Sequence, residues 1–286
     1  MLMRSAKEEG AMGLQVPSSR AQTEAHQPAI AVRVRDVRKA FRTAQRVVQA
    51  LDGVSFEVPA GTFLVIVGPS GGGKTTLLRI LAGLERPDAG EVWWQPSADG
   101  WPPFAMVFQE QSVFPWMTVE ENVAYGLRLR RVPPAERRRI AEQWIQKVGL
   151  RSFEHAYPHQ LSGGMKQRVS IARAFAVDPA VLLMDEPFSA LDEQTRTILQ
   201  QEVSTLCEEQ RKTVLFVTHS IDEAITLGDA VLILTHRPGR VKQILPIPFA
   251  RPRDVVGVRA DPRYGELYEA IWQLIAEEVR QGPREE

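Results

Sequence analysis

The fold of this chain is decided by the stretch FLVIVGPSGGGKTT, residues 63–76. The segment 63–67 is a continuous apolar run, which is typical of a strand buried on both faces of a parallel sheet. The remainder matches the pattern GxxxxGK[ST] without a gap, and residues 77–84 continue as a helix. A buried strand, a glycine-rich loop and a helix in this order predict an α/β protein with a phosphate-binding loop, here called the P-loop.

The P-loop has the chemistry of a triphosphate site. Glycines allow positive φ, so consecutive backbone N–H groups can curve around phosphate oxygens. Lys74 can reach the β- and γ-phosphates, and the Thr75 hydroxyl can ligate Mg²⁺. The helix start also favours negative charge. The predicted nucleotide-binding residues of this loop are Gly68, Pro69, Ser70, Gly71, Gly72, Gly73, Lys74, Thr75 and Thr76.

A second apolar run, 181–184, ends in the carboxylates Asp185 and Glu186. Asp185 suits Mg²⁺, through water, facing Thr75. Glu186 is placed to orient or deprotonate an attacking water. A solvated acidic pair is the alternative, and the preceding P-loop makes it the weaker interpretation.

Three further side chains follow predicted strands and are candidates for the same site. Gln109 can carry its amide to Mg²⁺ or to the attacking water, although a turn residue is the simpler alternative. His219 can contact the γ-phosphate or hold Glu186, because ligands bind at the carboxyl edge of parallel strands. Phe41 can stack on a purine ring, and a strand-end side chain that covers the core is the alternative.

A second anion-binding helix start lies at LSGGMKQR, residues 161–168. Ser162, Gly163 and Gly164 offer a hydroxyl and bare backbone N–H groups at the start of a basic helix. The chain therefore has two phosphate-binding helix starts but one lysine-bearing loop. The simplest explanation is that the second start serves the nucleotide held by another copy of the chain.

Composition limits the function further. The chain has 286 residues with 35 basic and 35 acidic side chains, so its formal net charge is zero. That balance gives no support to a nucleic-acid partner. The single cysteine, Cys207, excludes a disulfide within the chain and suits a reducing compartment. No run of about 18 apolar residues is present, so we expect a membrane to be reached only through a partner.

Together these residues resemble the ATP-binding subunit of ABC transporters, over about residues 30–245. Each motif of that family has a counterpart: Walker A at 68–76, the Q-loop at Gln109, the signature at 161–165, Walker B at 181–186, the D-loop at 189–192, the switch histidine at His219 and the adenine-stacking aromatic at Phe41. The resemblance implies an α/β P-loop NTPase (RecA-like) with a parallel-sheet core, an antiparallel β subdomain and an inserted α-helical subdomain.

The resemblance also implies activity and partners. It implies an ATPase with ATP and Mg²⁺ as cofactors, with Glu186, His219 and Gln109 as catalytic residues and with Thr75, Gln109 and Asp185 around the metal. It implies a head-to-tail dimer that holds ATP between Walker A of one copy and the signature of the other. A membrane permease would dock near Gln109 and the helical subdomain, at the cytoplasmic face of the cell membrane.

The expected domain organisation has three parts. Residues 1–28 lack a continuous apolar run and are predicted to be a disordered extension, or the result of a start codon placed too early, rather than a secretory signal. Residues 29–250 form the ABC ATPase domain, with the helical subdomain at about 111–165, and residues 251–286 form a C-terminal helical tail. The tail helix is expected to dock on the core through Leu267, Tyr268, Ile271, Leu274, Ile275 and Val279.

Finer features look like nitrate/sulfonate/taurine-type importers, in which a solute-binding protein delivers a small anion. They are the segments 114–116, 237–240 and 251–253, whereas the segment 95–103 differs from the short polar turn of that group. The signature also departs from the family at Met165, where Gln is frequent. The main γ-phosphate contacts are expected from Ser162 and the glycine N–H groups, so activity should survive.

Two other functions fit the sequence less well. ABC ATPases of DNA repair or translation usually carry a long coiled coil between the Walker motifs or two cassettes in one chain, and neither occurs here. Guanine-specific GTPases generally use an NKxD motif, but the single asparagine, Asn122, lies inside the helical insertion. Neither a GTPase nor a kinase would explain the 161–168 stretch.

Overall fold

The computed structural model describes residues 29–42, 46–109 and 112–281. The strands are, in chain order, β1 (Ile30–Arg42), β2 (Val47–Pro59), β3 (Phe63–Val67), β4 (Ala89–Trp94), β5 (Phe104–Val107), β6 (Val181–Asp185), β7 (Thr213–Val217), β8 (Ala230–Leu234) and β9 (Val241–Pro246). The helices are α1 (Lys74–Leu81), α2 (Val119–Leu129), α3 (Pro134–Lys147), α4 (Gly163–Ala176), α5 (Glu193–Glu209), α6 (Ile221–Leu227) and α7 (Pro262–Gln281).

A six-stranded sheet in the order β5-β6-β7-β3-β8-β9 forms the centre of the domain. Its strands pair in parallel except for β9, which runs antiparallel to β8. Every residue of β3, β6, β7 and β8 is buried. Burial on both faces explains why these strands are apolar runs rather than alternating patterns.

The central sheet separates two hydrophobic cores. Alternate residues of β3 point to opposite faces, so Val65 joins the core that contains α2 to α6 while Ile66 joins the core beneath α1. A three-stranded antiparallel sheet in the order β2-β1-β4 covers the α1 side. The predicted α/β fold, with a parallel-sheet core and an antiparallel β subdomain, is confirmed.

The helical region packs α2 against both α3 and α4. A capping box begins α2, with the Thr118 hydroxyl accepting from the Glu121 N–H and the Glu121 carboxylate accepting from the Thr118 N–H. The buried Asn122 fixes the preceding loop, because its amide donates to the carbonyls of Phe114, Met117 and Thr118. These contacts tie the loop to the start of α2.

The C-terminal tail follows the expectation only in part. Helix α7 lies against α6 and β8, with Ile271 fully buried and Leu267, Leu274 and Ile275 packed on the core. Tyr268 and Val279 are 41% and 61% exposed, so their predicted docking is wrong. A helix on the surface of the domain contacts the core along one narrow face, so some of its apolar residues remain exposed to solvent.

Other expectations concern the bounds of α1, membrane-spanning helices and the N-terminal extension. Helix α1 spans Lys74–Leu81, with Gly73 in a left-handed conformation as its N-cap, whereas the sequence predicts a helix that continues over 77–84. Within the described ranges, no helix combines the length and the apolar character that crossing a bilayer requires. The predicted disordered extension, 1–28, lies outside the described residues.

Candidate nucleotide-binding and catalytic site

Four neighbouring strands place the candidate residues along one edge of the sheet. Gln109 follows β5, Glu186 follows β6, His219 follows β7 by one residue, and the P-loop follows β3. Because β5, β6, β7 and β3 are adjacent and parallel, their carboxyl ends meet. The site is therefore assembled by the spatial order of the strands, which differs from their order in the sequence.

The P-loop needs glycine at two positions for different reasons. Gly73 has φ 85°, which is unfavourable for other residues, and a Cβ there would lie 2.6 Å from Leu51 Cδ2. A Cβ on Gly72 would lie 2.8 Å from the carbonyl oxygen of Thr235. The loop is thus enclosed by β2 and by the chain that follows β8.

Lys74 lies across the P-loop with its ammonium held by the backbone. Its Nζ donates to the carbonyls of Gly68 and Pro69, each at 2.9 Å. Burial lowers the pKa of Lys74, and the nearby carboxylates of Glu186 and Asp185 oppose that shift. The result is a desolvated positive charge at the place where the sequence predicts phosphate.

Thr75 and Asp185 meet as expected for a shared cation site. The Thr75 hydroxyl donates to Asp185 Oδ1 at 3.1 Å, and the Asp185 carboxylate is buried. Burial raises the pKa of Asp185, and the charge of Glu186 raises it further. Oxygen donors of this kind fit Mg²⁺, which binds to one or two carboxylates together with substrate phosphates. Among the described residues there is no cluster of three or more His, Cys, Asp or Glu side chains suited to a metal.

Glu186 has a constrained backbone and a doubly held side chain. Its φ is 43°, a conformation that is uncommon outside glycine, and its N–H donates to the Val217 carbonyl at 2.9 Å. Gln109 Nε2 donates to Glu186 Oε2 at 3.3 Å, and His219 Nδ1 lies 3.0 Å from the same oxygen. These contacts fix the direction of the Glu186 carboxylate.

A buried carboxylate that sequence reasoning missed supports the His219 segment. Glu223 accepts hydrogen bonds from the Thr218 hydroxyl and from Gln200 Nε2. Burial raises the pKa of Glu223. The Thr218 hydroxyl also accepts from the Ser220 N–H at 3.0 Å, so the chain on both sides of His219 is fixed. In the sequence, the sign of this buried carboxylate was a glutamate among the mostly apolar residues of α6.

The P-loop borders an open cleft of about 360 Å³. Phe41, Val48 and Ala50 line it on the side of the antiparallel sheet, and Glu186 lines it on the side of β6. Phe41 is 39% exposed, so its ring is not a core residue. Arg237 also lines the cleft, although the sequence analysis assigned it no role there.

The Ser162 turn lies elsewhere on the surface. Ser162 is the exposed N-cap of α4, and its hydroxyl accepts from the Met165 N–H at 3.3 Å. Gly164 packs closely on α5, since a Cβ there would lie 2.9 Å from Thr195 Cγ2. Of the described residues that line the P-loop cleft, none comes from 161–168. The chain does not bring its two predicted phosphate-binding helix starts into one pocket.

Comparison with known proteins identifies the family. Residues 51–189 match the model of the ABC transporter family. An uncharacterized ABC transporter ATP-binding protein of Methanocaldococcus jannaschii is 47% identical over 256 residues, which cover 87% of this chain and 93% of that protein. The chain belongs to the ABC transporter ATP-binding family. The resemblance drawn from the Walker and signature motifs is confirmed.

Relatives of this ABC ATPase include import subunits. The nitrate import ATP-binding protein NrtD of Synechococcus elongatus is 42% identical over 236 residues, covering 81% of this chain and 86% of that protein. The taurine import ATP-binding protein TauB of Rhizobium johnstonii is 43% identical over 240 residues, covering 80% and 90%. These relatives place the ATPase in the nitrate/taurine-type group.

A solved structure confirms the fold of the ABC ATPase. It is a dimeric ATP-binding cassette in a post-hydrolysis state with bound ADP and Pi, and it is 32% identical with a TM-score of 0.68. The match covers 77% of this chain and all of that chain. ATP hydrolysis is the activity of this family, and the predicted ATPase activity is confirmed.

Proposed function

We propose that this ABC ATPase is the subunit that energises an importer for a small anion of the nitrate, sulfonate or taurine type. The observation that carries the catalytic part is the Glu186 carboxylate, held by Gln109 and His219 beside the P-loop. The import subunits NrtD and TauB support the solute class. The proposed partners are a second copy, membrane permease subunits and, indirectly, a solute-binding protein, at the cytoplasmic face of the cell membrane.

The proposed chemistry is in-line attack of water on the γ-phosphate. Glu186 orients the water and accepts its proton, with His219 and Gln109 fixing the carboxylate. Lys74 adds positive charge beside the transferred group, where a water-poor site strengthens electrostatic stabilisation. Thr75, Asp185 and Gln109 would hold Mg²⁺, which would supply positive charge to neutralise the phosphate groups.

The proposed active unit contains two chains. The Ser162 turn is exposed and lies outside the cleft of its own chain. Its hydroxyl and the backbone N–H groups of Gly163 and Gly164 suit a γ-phosphate presented by a second P-loop. A head-to-tail dimer would therefore close each nucleotide between Lys74 of one copy and the partner's Ser162.

The proposed permease contact lies on the loop before α2. Phe114 packs on Tyr125 with ring centroids 4.7 Å apart, and the Arg173 guanidinium lies 5.2 Å from the Phe114 ring. Trp116 is 69% exposed beside it. An aromatic residue exposed on a rigid loop suits a protein interface. We propose that dimer closure moves this helical subdomain and that the permease responds to the movement.

Mixing two inactive variants tests the two-chain site. Lys74→Ala removes the lysine of the P-loop, and Ser162→Arg blocks the turn. Neither homodimer should release phosphate from ATP. A mixed dimer contains one complete site, formed by the intact P-loop of the Ser162→Arg chain and the intact turn of the Lys74→Ala chain. Each mixed dimer should therefore have up to about half of the wild-type activity, which is about a quarter of it averaged over all dimers of a random equimolar mixture.

A second pair is the matched control for that experiment. Mixing Lys74→Ala with Glu186→Gln leaves a defect in both sites of the mixed dimer, so activity should stay absent. Rescue in the first mixture alone supports a site shared between chains. If folded Lys74→Ala and Ser162→Arg proteins form mixed dimers without activity, the shared site is refuted.

Purification from cells tests the transport assignment. A tagged chain should bring down a hydrophobic permease, and the associated solute-binding protein should bind nitrate, taurine or a sulfonate in a ligand screen. A binding protein that takes none of these anions would contradict the solute class. ATP-stimulated binding to ribosomes or DNA, without a permease, would contradict the transport role itself.

A further inference from the structure

The turn 235–240, between β8 and β9, packs directly on the P-loop. A Cβ on Gly239 would lie 2.2 Å from the carbonyl oxygen of Gly72, so the two backbones are in contact. The Gly239 N–H donates to the Ala50 carbonyl at 2.9 Å, and the Asp52 N–H donates to the Gly239 carbonyl at 3.0 Å. This turn is therefore joined to both the P-loop and β2.

Side chains hold the same turn rigid. The Thr235 hydroxyl donates to the Pro238 carbonyl at 3.0 Å and accepts from the Arg240 N–H at 2.9 Å. Arg240 Nε donates to Asp52 Oδ2 at 3.0 Å. On the far side, the His236 N–H donates to the Glu278 carboxylate of α7 at 3.1 Å. The backbone at Arg237 has a position set by three separate elements.

The two arginines of the turn have different surroundings. Arg240 is paired with Asp52 and does not line the cleft. Arg237 is exposed and lines the cleft, and its guanidinium has no hydrogen-bond or ion-pair partner among the described residues. A delocalised cation that is left unpaired at the wall of an anion site is well suited to bind phosphate, because its planar fork matches two phosphate oxygens.

The contact between the turn of Arg237 and the P-loop indicates which phosphates the Arg237 side chain would bind. Phe41 and Val48 mark the end proposed for the base, while Lys74 and Thr75 mark the end proposed for the γ-phosphate. Arg237 lines the same cleft from a turn that contacts the P-loop at Gly72, two residues before Lys74. We propose that Arg237 binds the α- and β-phosphates of a nucleoside di- or triphosphate. This proposal rests on the proposed nucleotide cleft.

A direct consequence concerns ADP and ATP together. Both nucleotides carry α- and β-phosphates, so Arg237 contributes to the binding of each and has little effect on the hydrolytic step. Such uniform binding changes KM and leaves kcat nearly unchanged when it is removed. Arg237 is thereby distinguished from Glu186, whose loss acts on kcat.

Calorimetric titration with ADP, the probe nucleotide, tests the proposal on three variants. Arg237→Gln should weaken ADP binding by about tenfold. Arg237→Lys, which keeps the charge but loses the fork, should fall between Arg237→Gln and the wild type. Arg240→Gln is the control on the same turn and should bind ADP within about twofold of the wild type. In steady-state hydrolysis, Arg237→Gln should raise KM for ATP about tenfold with kcat within about twofold.

Three experimental results would contradict the proposal or the nucleotide cleft on which it rests. If Arg237→Gln binds ADP like the wild type while Lys74→Ala does not bind it, the Arg237 proposal is overturned and the nucleotide cleft stands. If Arg240→Gln weakens ADP as much as Arg237→Gln, the turn acts only as a support and the proposal is again overturned. If Lys74→Ala binds ADP normally, the cleft itself is misassigned and the proposed function fails with it.

Discussion

Nδ1 of His219 lies 3.0 Å from Oε2 of Glu186, on the same carboxylate oxygen that Gln109 reaches from the other side at 3.3 Å. The three side chains follow three adjacent strands, so the geometry depends on the sheet and not on a flexible loop alone. The contact joins the proposed base to the two residues that would fix its carboxylate.

His219→Ala should slow ATP hydrolysis by about 10²-fold or more, because the Glu186 carboxylate loses the partner that orients it. His219 does not line the P-loop cleft, so ADP affinity should stay within about twofold of the wild type. Phosphate release and ADP titration measure the two effects. A variant with more than half of wild-type turnover would remove His219 from the proposed mechanism.

Asp185→Asn should raise the thermal stability of the nucleotide-free protein and abolish magnesium-dependent hydrolysis. Burial raises the pKa of Asp185, so the folded chain binds this proton more tightly than the unfolded chain does. Ionisation of Asp185 therefore lowers the free energy of unfolding as the pH rises through its folded pKa. Asparagine removes that penalty and still accepts from the Thr75 hydroxyl.

Melting temperatures of Asp185→Asn and wild type between pH 4 and pH 8, without nucleotide, measure this effect. The difference in melting temperature in favour of the variant should grow as the pH rises. It is limited because the Asp185 carboxylate also stabilises the positive charge of Lys74, and the variant loses that interaction. A melting temperature below that of the wild type at pH 8 would show that the carboxylate stabilises the fold. Such a result would contradict the interpretation that the Asp185 carboxylate serves function and lowers the free energy of unfolding.

Phe41→Ala should weaken ATP and ADP binding by roughly 5- to 150-fold, the loss expected from about 1–3 kcal/mol of base stacking. Phe41→Trp should retain affinity because it keeps a flat face. Phe153→Ala is the matched control, since Phe153 is also 39% exposed but lies outside the cleft. Equal affinities for Phe41→Ala and Phe153→Ala would exclude stacking on Phe41.

Cys207 should be unreactive towards an aromatic disulfide reagent at pH 8 in the folded protein. It is buried in the core, and burial raises the pKa of its thiol to about 12, so almost no thiolate exists at that pH. In denaturant one thiol per chain should react. Rapid stoichiometric reaction of the folded protein would show that α5 opens locally and that the core near Cys207 is not intact.

Local patterns were enough to predict much of this protein. The apolar run 63–67, the glycines after it and the acidic end of 181–186 predict a strand, a P-loop and Walker B, because each pattern specifies backbone conformation or charge within a few residues. The N-caps at Thr118, Ser162 and Asp192 are local in the same way. The fold class follows from these segments, since buried parallel strands joined by helices allow few other arrangements.

Only the tertiary structure decided which side chains meet. The contact of Gln109 and His219 with Glu186 depends on the spatial order β5-β6-β7, which the amino-acid sequence alone does not show. The turn of Arg237 reaches the P-loop because β8 pairs with β3, and no spacing in the sequence encodes that approach. Side-chain contacts between distant segments depend on how whole elements pack, whereas the chemistry of each segment depends on its own residues.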